Sequence, residues 1–228
     1  MGCLYNKKGV ENKLFSTITL EITKQALTLL IFHYFRKRKI QKVISENETY
    51  QKINFTNKQL ASEYDGCTFV ACNFENLKLG SITFLECEFI NCNLSNVQLN
   101  YTAFKDVVFE NCKLLGINFN DCNPFLLQLK FTNSDLTLSS FYQLVIKNTC
   151  FTSCNLSEVD FTEANLSNAI FDNCKLTSAI FENTTLEKTD FETATNFNID
   201  PEKNRIKKAK FSQNNLGNLL TKYDINIK

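Results

Sequence analysis

Residues 154–193 read CNLSE VDFTE ANLSN AIFDN CKLTS AIFEN TTLEK TDFET, eight groups of five whose third residue is always leucine or phenylalanine. The first residue of each group is small or β-branched, and the second is polar in most groups. Residues two apart share a face of an extended chain, so the first and third side chains point inward and the second points outward. Short extended segments joined by sharp corners predict a narrow closed coil.

The same period covers most of the chain. Large apolar residues recur every five positions from Phe69 to Phe119 and from Leu126 to Phe191, which gives 11 and 14 core centres. Asparagine often stands three positions before a centre, where it fits a turn because it tolerates left-handed backbone conformations. The examples are Asn91, Asn111, Asn173 and Asn183.

The period changes phase at two places. Phe55 and Leu60 form a further pair of centres, out of phase with Phe69 by one residue, so residues 61–66 are predicted to be an irregular turn. Two extra residues lie in 120–125, around Pro124. Proline cannot donate to a β-ladder, so this second change is predicted to be a bulged corner.

The repeat of a small residue, a polar residue and Phe or Leu resembles the pentapeptide-repeat family. The resemblance implies an all-β solenoid, a right-handed quadrilateral β-helix with four repeats in each coil. Side chains four repeats apart would then stack in columns, with two phenylalanine columns facing each other, and the 25 centres would make about six coils at the strand spacing. The predicted columns are Phe131/Phe151/Phe171/Phe191, Leu136/Leu156/Leu176, Phe141/Phe161/Phe181 and Ile146/Leu166/Leu186.

The predicted organisation has three parts: an N-terminal extension (1–44) that is partly helical or poorly ordered, the β-helix (45–211), and a C-terminal capping or dimerisation helix and tail (212–228). A helix is predicted over Thr17–Tyr34, followed by four basic residues at 36–39. Such a helix fits either contact with an anionic membrane or a docked or poorly ordered extension, and we expect the extension without membrane contact. The longest uncharged apolar stretch of the chain, Gln25–Phe35, is too short to span a bilayer.

The C-terminal helix is predicted to begin after Ser212 as N-cap. The C-terminal helix and tail resemble those of the quinolone-resistance (Qnr-type) pentapeptide proteins, which implies homodimerisation through this end of the chain. The alternative is a monomer in which the helix caps its own core. The predicted interface residues are Leu216, Leu219, Leu220, Tyr223, Ile225 and Ile227.

The residues predict no catalytic, cofactor or metal site. Eight of the ten cysteines occupy the small inward position, where cysteine serves as an apolar filler, and none stands in a Cys-x-x-Cys pair. The only histidine, His33, lies outside the repeats, and no glycine-rich phosphate loop is present. We therefore expect a non-enzymatic protein. The opening residues lack the pattern of a secretory signal, which favours a cytoplasmic location.

Charge is distributed unevenly along the chain. Residues 66–195 carry 15 acids against 7 bases, whereas 1–65 and 196–228 carry net charges of +5 and +4. The basic cluster at Lys203–Lys210 is expected either to solvate the C-terminal cap or to pair with the acidic middle.

The Qnr-type resemblance implies a DNA mimic that binds DNA gyrase or topoisomerase IV and modulates quinolone sensitivity. The alternative is a scaffold for an unknown partner, and the acidic middle argues against direct binding of nucleic acid. The candidate partner-facing acids are Glu158, Asp160, Glu163, Asp172, Glu182, Glu187, Asp190 and Glu192.

Overall fold

The computed structural model describes residues 43–226, which form an all-β solenoid of short parallel strands. The predicted N-terminal helix and Ile227 lie outside these residues. The strands are, in chain order, β1 Ile44–Glu46, β2 Thr49–Gln51, β3 Glu63–Asp65, β4 Thr68–Val70, β5 Thr83–Leu85, β6 Glu88–Ile90, β7 Ala103–Lys105, β8 Val107–Glu110, β9 Leu129–Thr132, β10 Cys150–Thr152 and β11 Ile170–Asp172.

The solenoid has four sides, because the chain returns to the same side after four five-residue segments. Side 1 carries the sheet β1-β3-β5-β7, and side 2 carries the seven-stranded sheet that runs from β2 to β11. On sides 3 and 4, successive coils are joined by single parallel bridges. Examples are Asn155 with Lys175 on side 3 and Asp160 with Ile180 on side 4. Between Phe69 and Phe191, the range of the predicted centres, side 2 takes six steps from coil to coil, as the repeat count predicts.

The core consists of stacked rings that face each other across the coil. On side 2, Phe151 stacks on Phe131 at 5.2 Å and on Phe171 at 5.0 Å between ring centroids. On side 4, Phe141 stacks on Phe161 at 5.4 Å. The two columns meet edge to face, with Phe131 and Phe141 6.1 Å apart and at 81°. The predicted columns are confirmed, and the edge-to-face geometry suits the quadrupoles of opposing rings.

Where the small inward residue before a centre is serine, threonine or cysteine, in most cases it also donates a hydrogen bond. The hydroxyl of Thr184 donates to the carbonyl of Phe161 at 2.9 Å, and that of Thr189 donates to Leu166 at 2.8 Å. The thiol of Cys92 makes the same contact with the carbonyl of Phe69 at 3.3 Å. Cysteine at this position is therefore more than an apolar filler, because its thiol pairs a buried carbonyl of the preceding coil.

The corners adopt the left-handed conformation that the asparagines predict. All four predicted asparagines have φ between 51° and 55°. Asn or Asp just before a centre further stabilises the following turn. The Asn155 side chain, for example, accepts a hydrogen bond from the Ser157 N–H at 3.3 Å.

Both predicted phase changes exist, although their positions need correction. The first coil is one residue shorter than the next, because Ser45 pairs with Tyr64 whereas Tyr64 pairs with Phe84. The missing residue lies between Leu60 and Tyr64. Tyr64 is a buried core centre rather than part of an irregular turn.

The two extra residues lie after Asn123, which still pairs in the regular register with Ala103. The pairing of Val107 with Leu129 already spans both of them. Leu126, predicted to be a core centre, is exposed, and Leu127 packs against the core instead. The apolar run from Phe125 to Leu129 offers several equivalent side chains, so the sequence pattern alone places the wrong leucine inside.

The C-terminal helix begins where predicted but has a different form. Residues Gln213–Leu219 and Thr221–Tyr223 form 3₁₀ helices, and Ser212 occupies the N-cap position without a side-chain capping hydrogen bond. Asparagine and glycine are poor α-helix formers, and this segment contains Asn214, Asn215 and Gly217. The predicted apolar stripe of period 3.6 is consequently divided between two tighter turns.

Candidate functional site

The eight predicted acids account for all the acidic residues of 150–195, a segment that holds only two lysines, Lys175 and Lys188. The structure divides them into two equal groups. Four are half-buried: Asp160, Glu182, Glu187 and Asp190. Four are exposed: Glu158, Glu163, Asp172 and Glu192.

Three of the half-buried acids have partners within the solenoid. Glu182 pairs with Lys203 at 3.0 Å, Glu187 with Arg205 at 2.8 Å and Asp190 with Lys210 at 3.1 Å. These contacts join the acidic coils to the basic segment that follows them. Three of the eight negative charges are thereby compensated within the protein.

Asp160, the fourth half-buried acid, has a local structural role. Its carboxylate accepts a hydrogen bond from the Thr162 N–H at 2.8 Å, so it stabilises its own turn.

The exposed acids form no ion pair with the residues that the structure describes. Glu158 and Glu163 stand at left-handed corners on either edge of side 4, with φ of 58° each. Asp172 and Glu192 lie on side 2, where both line a shallow depression beside Cys150. Side 2 and side 4 are opposite sides of the coil. The four exposed acids thus lie on two opposite sides rather than in one stripe.

The predicted dimer residues lie in different environments. Leu216, Tyr223 and Ile225 are exposed, Leu219 packs against the core, and Leu220 is half-buried. Ile227 lies outside the described residues. The exposed three form an apolar group at the C-terminal end of the solenoid.

Lys222 fastens this end to the loop before it. Its ammonium group lies 2.8 Å from Asp200 and 2.6 Å from Glu202, and the Tyr223 hydroxyl donates to Glu202 at 2.9 Å. These hydrogen bonds lower the pKa of both carboxyl groups and raise the pKa of Lys222. All three groups are therefore charged at neutral pH.

Two of the buried thiols, Cys87 and Cys122, are poor candidates for chemistry. Burial raises the pKa of Cys87 and that of Cys122 to about 12, against an ordinary value of 9.0, so these thiols stay protonated and weakly nucleophilic at neutral pH. Within 43–226, no group of three or more His, Cys, Asp or Glu side chains is placed to hold a metal ion. No helix in this part of the chain is long and apolar enough to cross a bilayer.

The sequence reasoning missed an exposed apolar group on side 1, where the two extra residues lie. Phe125, Leu126 and Val145 are each more than 60% exposed, and Tyr101 at the preceding corner is 77% exposed. The adjacent apolar residues Phe125 and Leu126 could have indicated it, because the five-residue pattern has room for only one of them inside the coil.

Two family models match the repeats. One, described as a pentapeptide repeat region, matches residues 62–141, and the other, described as eight copies of the pentapeptide repeat, matches 154–192. The chain belongs to the pentapeptide-repeat family. Together the matches cover just over half of the chain, and both lie within the observed solenoid. No curated protein matches the sequence.

Several solved structures share the fold at low sequence identity. QnrB1, described as a plasmid-mediated fluoroquinolone resistance protein, is 15% identical over 80% of this chain and 100% of its own, with a TM-score of 0.42. HetL from Nostoc sp. strain PCC 7120, described as involved in heterocyst differentiation regulation, is 15% identical over 79% and 92%, with a TM-score of 0.36. A pentapeptide repeat protein of the Arabidopsis thaliana thylakoid lumen is 22% identical over 41% and 60%, with a TM-score of 0.30. None of these similarities identifies a partner for this chain.

Proposed function

We propose that the protein is a non-enzymatic, cytoplasmic DNA mimic whose acidic coils bind a type II topoisomerase, either gyrase or topoisomerase IV, and modulate its sensitivity to quinolones. The observation that carries the proposal is the position of the four exposed acids, none in an ion pair with a described residue, on opposite sides of one narrow solenoid. A DNA duplex likewise presents phosphates on both sides of its axis. A basic groove that binds a duplex would therefore meet carboxylates on both walls.

The internal ion pairs determine which of the eight acids keep an uncompensated negative charge that a partner could bind. Glu182, Glu187 and Asp190 are compensated by basic residues of 203–210, so the exposed charge belongs chiefly to the other four acids. Exposed acids on a rigid scaffold lose little side-chain or backbone order on binding beyond their own rotamers. The coils between them supply the fixed spacing.

The second candidate function is a scaffold that binds a partner without mimicking DNA. The internal ion pairs favour it, because they remove three of the eight charges from the surface. A scaffold would use the polar sides of the coils and would not compete with DNA.

We also propose that two copies pair through the C-terminal end. Leu216, Tyr223 and Ile225 are exposed apolar side chains on a segment that Lys222 holds in place. A two-fold contact would bury the same three side chains from each copy. Light scattering of the full chain is expected to give the mass of a dimer, and Leu216→Asp to give the mass of a monomer. A monomer at micromolar concentration for the unchanged chain would reject the pairing.

The experiment for the topoisomerase proposal is a supercoiling assay with the cognate gyrase, titrated with purified protein in the presence and absence of a fluoroquinolone. We expect protection from the drug or inhibition of supercoiling. In the double variant Glu158→Lys/Glu192→Lys, which removes one exposed acid from each side, the effective concentration should rise by about tenfold.

The matched control is Glu86→Lys/Glu88→Lys, which reverses two exposed acids in an early coil, one of them at a left-handed corner as in Glu158. We expect it to change the effective concentration by less than about twofold. Equal loss in both double variants would indicate nonspecific charge rather than the acidic coils. No effect of the unchanged chain at a large molar excess would leave the scaffold function.

A further inference from the structure

The two extra residues after Asn123 open a cavity on side 1. It has a volume of about 350 Å³ and is lined by Leu126–Leu129 and Lys147–Thr149. Its apolar wall comes from Leu127, which packs against the core, and from Leu129, which is buried in β9. The cavity is large enough for one branched or aromatic side chain.

Thr149 supplies a polar group to this cavity. The residue is only 5% exposed, and its hydroxyl forms no hydrogen bond with the residues of 43–226. The equivalent hydroxyls of Thr184 and Thr189 each donate to a carbonyl of the preceding coil. A hydroxyl held in a cavity without a protein partner favours a ligand that can accept a hydrogen bond.

The position of the bulge identifies the group that Thr149 does not reach. The Ser139 hydroxyl donates to the carbonyl of Leu114 in the preceding coil, and the same register would pair Thr149 with the carbonyl of Pro124. That carbonyl accepts the N–H of Leu127 at 3.4 Å, and the two extra residues follow it directly.

The backbone beside the cavity is also unpaired. Val145 is bridged to Asn165 in the next coil, as in the regular repeats. Toward the preceding coil it forms no backbone hydrogen bond within the described part of the chain. The residue placed to donate to its carbonyl is Pro124, which has no N–H. The N–H and C=O of Val145, two residues before Lys147 of the cavity wall, therefore lack backbone partners, and an extended peptide could bond to them.

The rim of the cavity is apolar. Leu126, which lines the cavity, is exposed, and Phe125 and Val145 are exposed nearby in sequence on the same side of the solenoid. An apolar rim with unpaired backbone beside it suits a segment that is itself extended and partly apolar.

Lys147 gives the wall of the cavity a positive charge, and a second lysine lies over Phe125, the residue before the lining residue Leu126. The Lys105 ammonium lies 6.0 Å from the centre of the Phe125 ring, and Lys147 lines the cavity itself. Neither lysine forms an ion pair with a described residue, whereas three lysines of the last coils do. The acids closest to this group in sequence are Asp106 and Asp121, and neither lines the cavity.

We propose that this cavity is a docking site for an extended, acidic segment of a partner protein that inserts one large apolar side chain. The apolar side chain would fill the space between Leu127 and Leu129. A flanking carboxylate would pair with Lys147, and a carbonyl of the segment would accept the hydrogen bond of Thr149. The site is separate from the exposed acids and would remain if those acids had no partner.

The test is selection from a phage-displayed library of random short peptides against the full chain, followed by anisotropy measurements with the enriched peptides as labelled probes. We expect enrichment of sequences that combine Asp or Glu with one Phe, Leu or Ile. Leu126→Asp is expected to weaken their binding by about tenfold or more, because it places a charge at the apolar rim. Lys147→Glu should weaken it by about fivefold and remove its dependence on salt.

Thr149→Val and Lys175→Glu complete the set. Thr149→Val keeps the shape of the side chain and should weaken binding severalfold without loss of stability, since the hydroxyl has no partner to lose. Lys175→Glu reverses an exposed charge on side 3 and should leave binding unchanged. Enrichment of basic or uncharged peptides, binding that Leu126→Asp does not alter, self-association through this rim, or no enrichment would each overturn the proposal.

Discussion

The regular coils around Phe151 and the coil that carries the extra residues after Asn123 are built from the same repeat, yet they treat their polar groups differently. In the regular coils an inward hydroxyl pairs with a carbonyl one coil back, as Thr184 does with Phe161. In the interrupted coil Thr149 lacks that partner and Val145 lacks a bridge to the preceding coil. The difference indicates that the repeat is self-satisfied where it is regular and can bind other molecules where it is interrupted.

The largest effect is expected from removing one phenylalanine ring in each region. Phe151→Ala removes a fully buried ring that stacks on two others, and it should lower the free energy of unfolding by about 3–5 kcal/mol. Phe125→Ala removes an exposed ring and should change it by less than about 0.5 kcal/mol. Urea unfolding followed by circular dichroism measures both. A similar loss in the two variants would contradict the comparison.

The second test compares two buried threonines. Thr184→Val should lower the free energy of unfolding by about 0.5–1.5 kcal/mol, because it removes the buried hydrogen bond from the hydroxyl to the Phe161 carbonyl and leaves that carbonyl only the N–H of Ala164. Thr149→Val removes no hydrogen bond and should change it by less than about 0.5 kcal/mol. The same unfolding experiment decides between them, and equal effects would show that Thr149 has a partner after all.

A third test concerns the left-handed corners. Leu138 is exposed at φ 62° in a regular coil, a conformation that is unfavourable for leucine. Leu138→Asn should therefore raise the free energy of unfolding by about 0.5–1 kcal/mol, since asparagine adopts it more readily. Leu138→Ala is the control for loss of the apolar side chain alone. Thermal unfolding should show a higher Tm for the asparagine variant than for the alanine variant.

The smallest effect is expected from the thiols. Burial raises the pKa of Cys87, in a regular coil, and of Cys122, beside the extra residues, to about 12. A folded-state pKa above the ordinary 9.0 means that the stabilisation is complete below pH 9 and is lost as the pH rises toward 12. Mass spectrometry after iodoacetamide treatment at about pH 8 should find Cys150 modified, because it is partly exposed, and Cys87 and Cys122 unmodified. Modification of Cys122 alone would show that the interruption opens the core.

Most of the fold follows from the period of the sequence. The spacing of Phe131, Phe151 and Phe171 predicts the side-2 stack, and the pairing of those residues confirms it. Periodicity alone cannot determine which of several adjacent apolar residues is buried. It therefore wrongly predicted Leu126, rather than Leu127, as the core residue. It also predicted an α-helix after Ser212, where short-range propensity favoured 3₁₀ turns.

The site was less accessible to sequence reasoning. Pairing of the basic segment 203–210 with the acidic coils was one of two expectations, and the ion pairs of Glu182, Glu187 and Asp190 confirm it. Which acids remain exposed depends on their position within the five-residue segment and on neighbours in the adjacent coils. The unpaired hydroxyl of Thr149 could not be predicted, because its partner would belong to another coil, at the place where the two extra residues lie.

Both departures from the regular coil length lie at corners of side 1. The residue missing between Leu60 and Tyr64 and the two extra residues after Asn123 both lie where the chain enters or follows side 1, while the other sides stay paired across them. Side 1 therefore acts as a seam: residues can be inserted or deleted at its corners while the coils remain paired on the other three sides. New loops in relatives of this protein, and loops grafted by design, should be tolerated best along that seam.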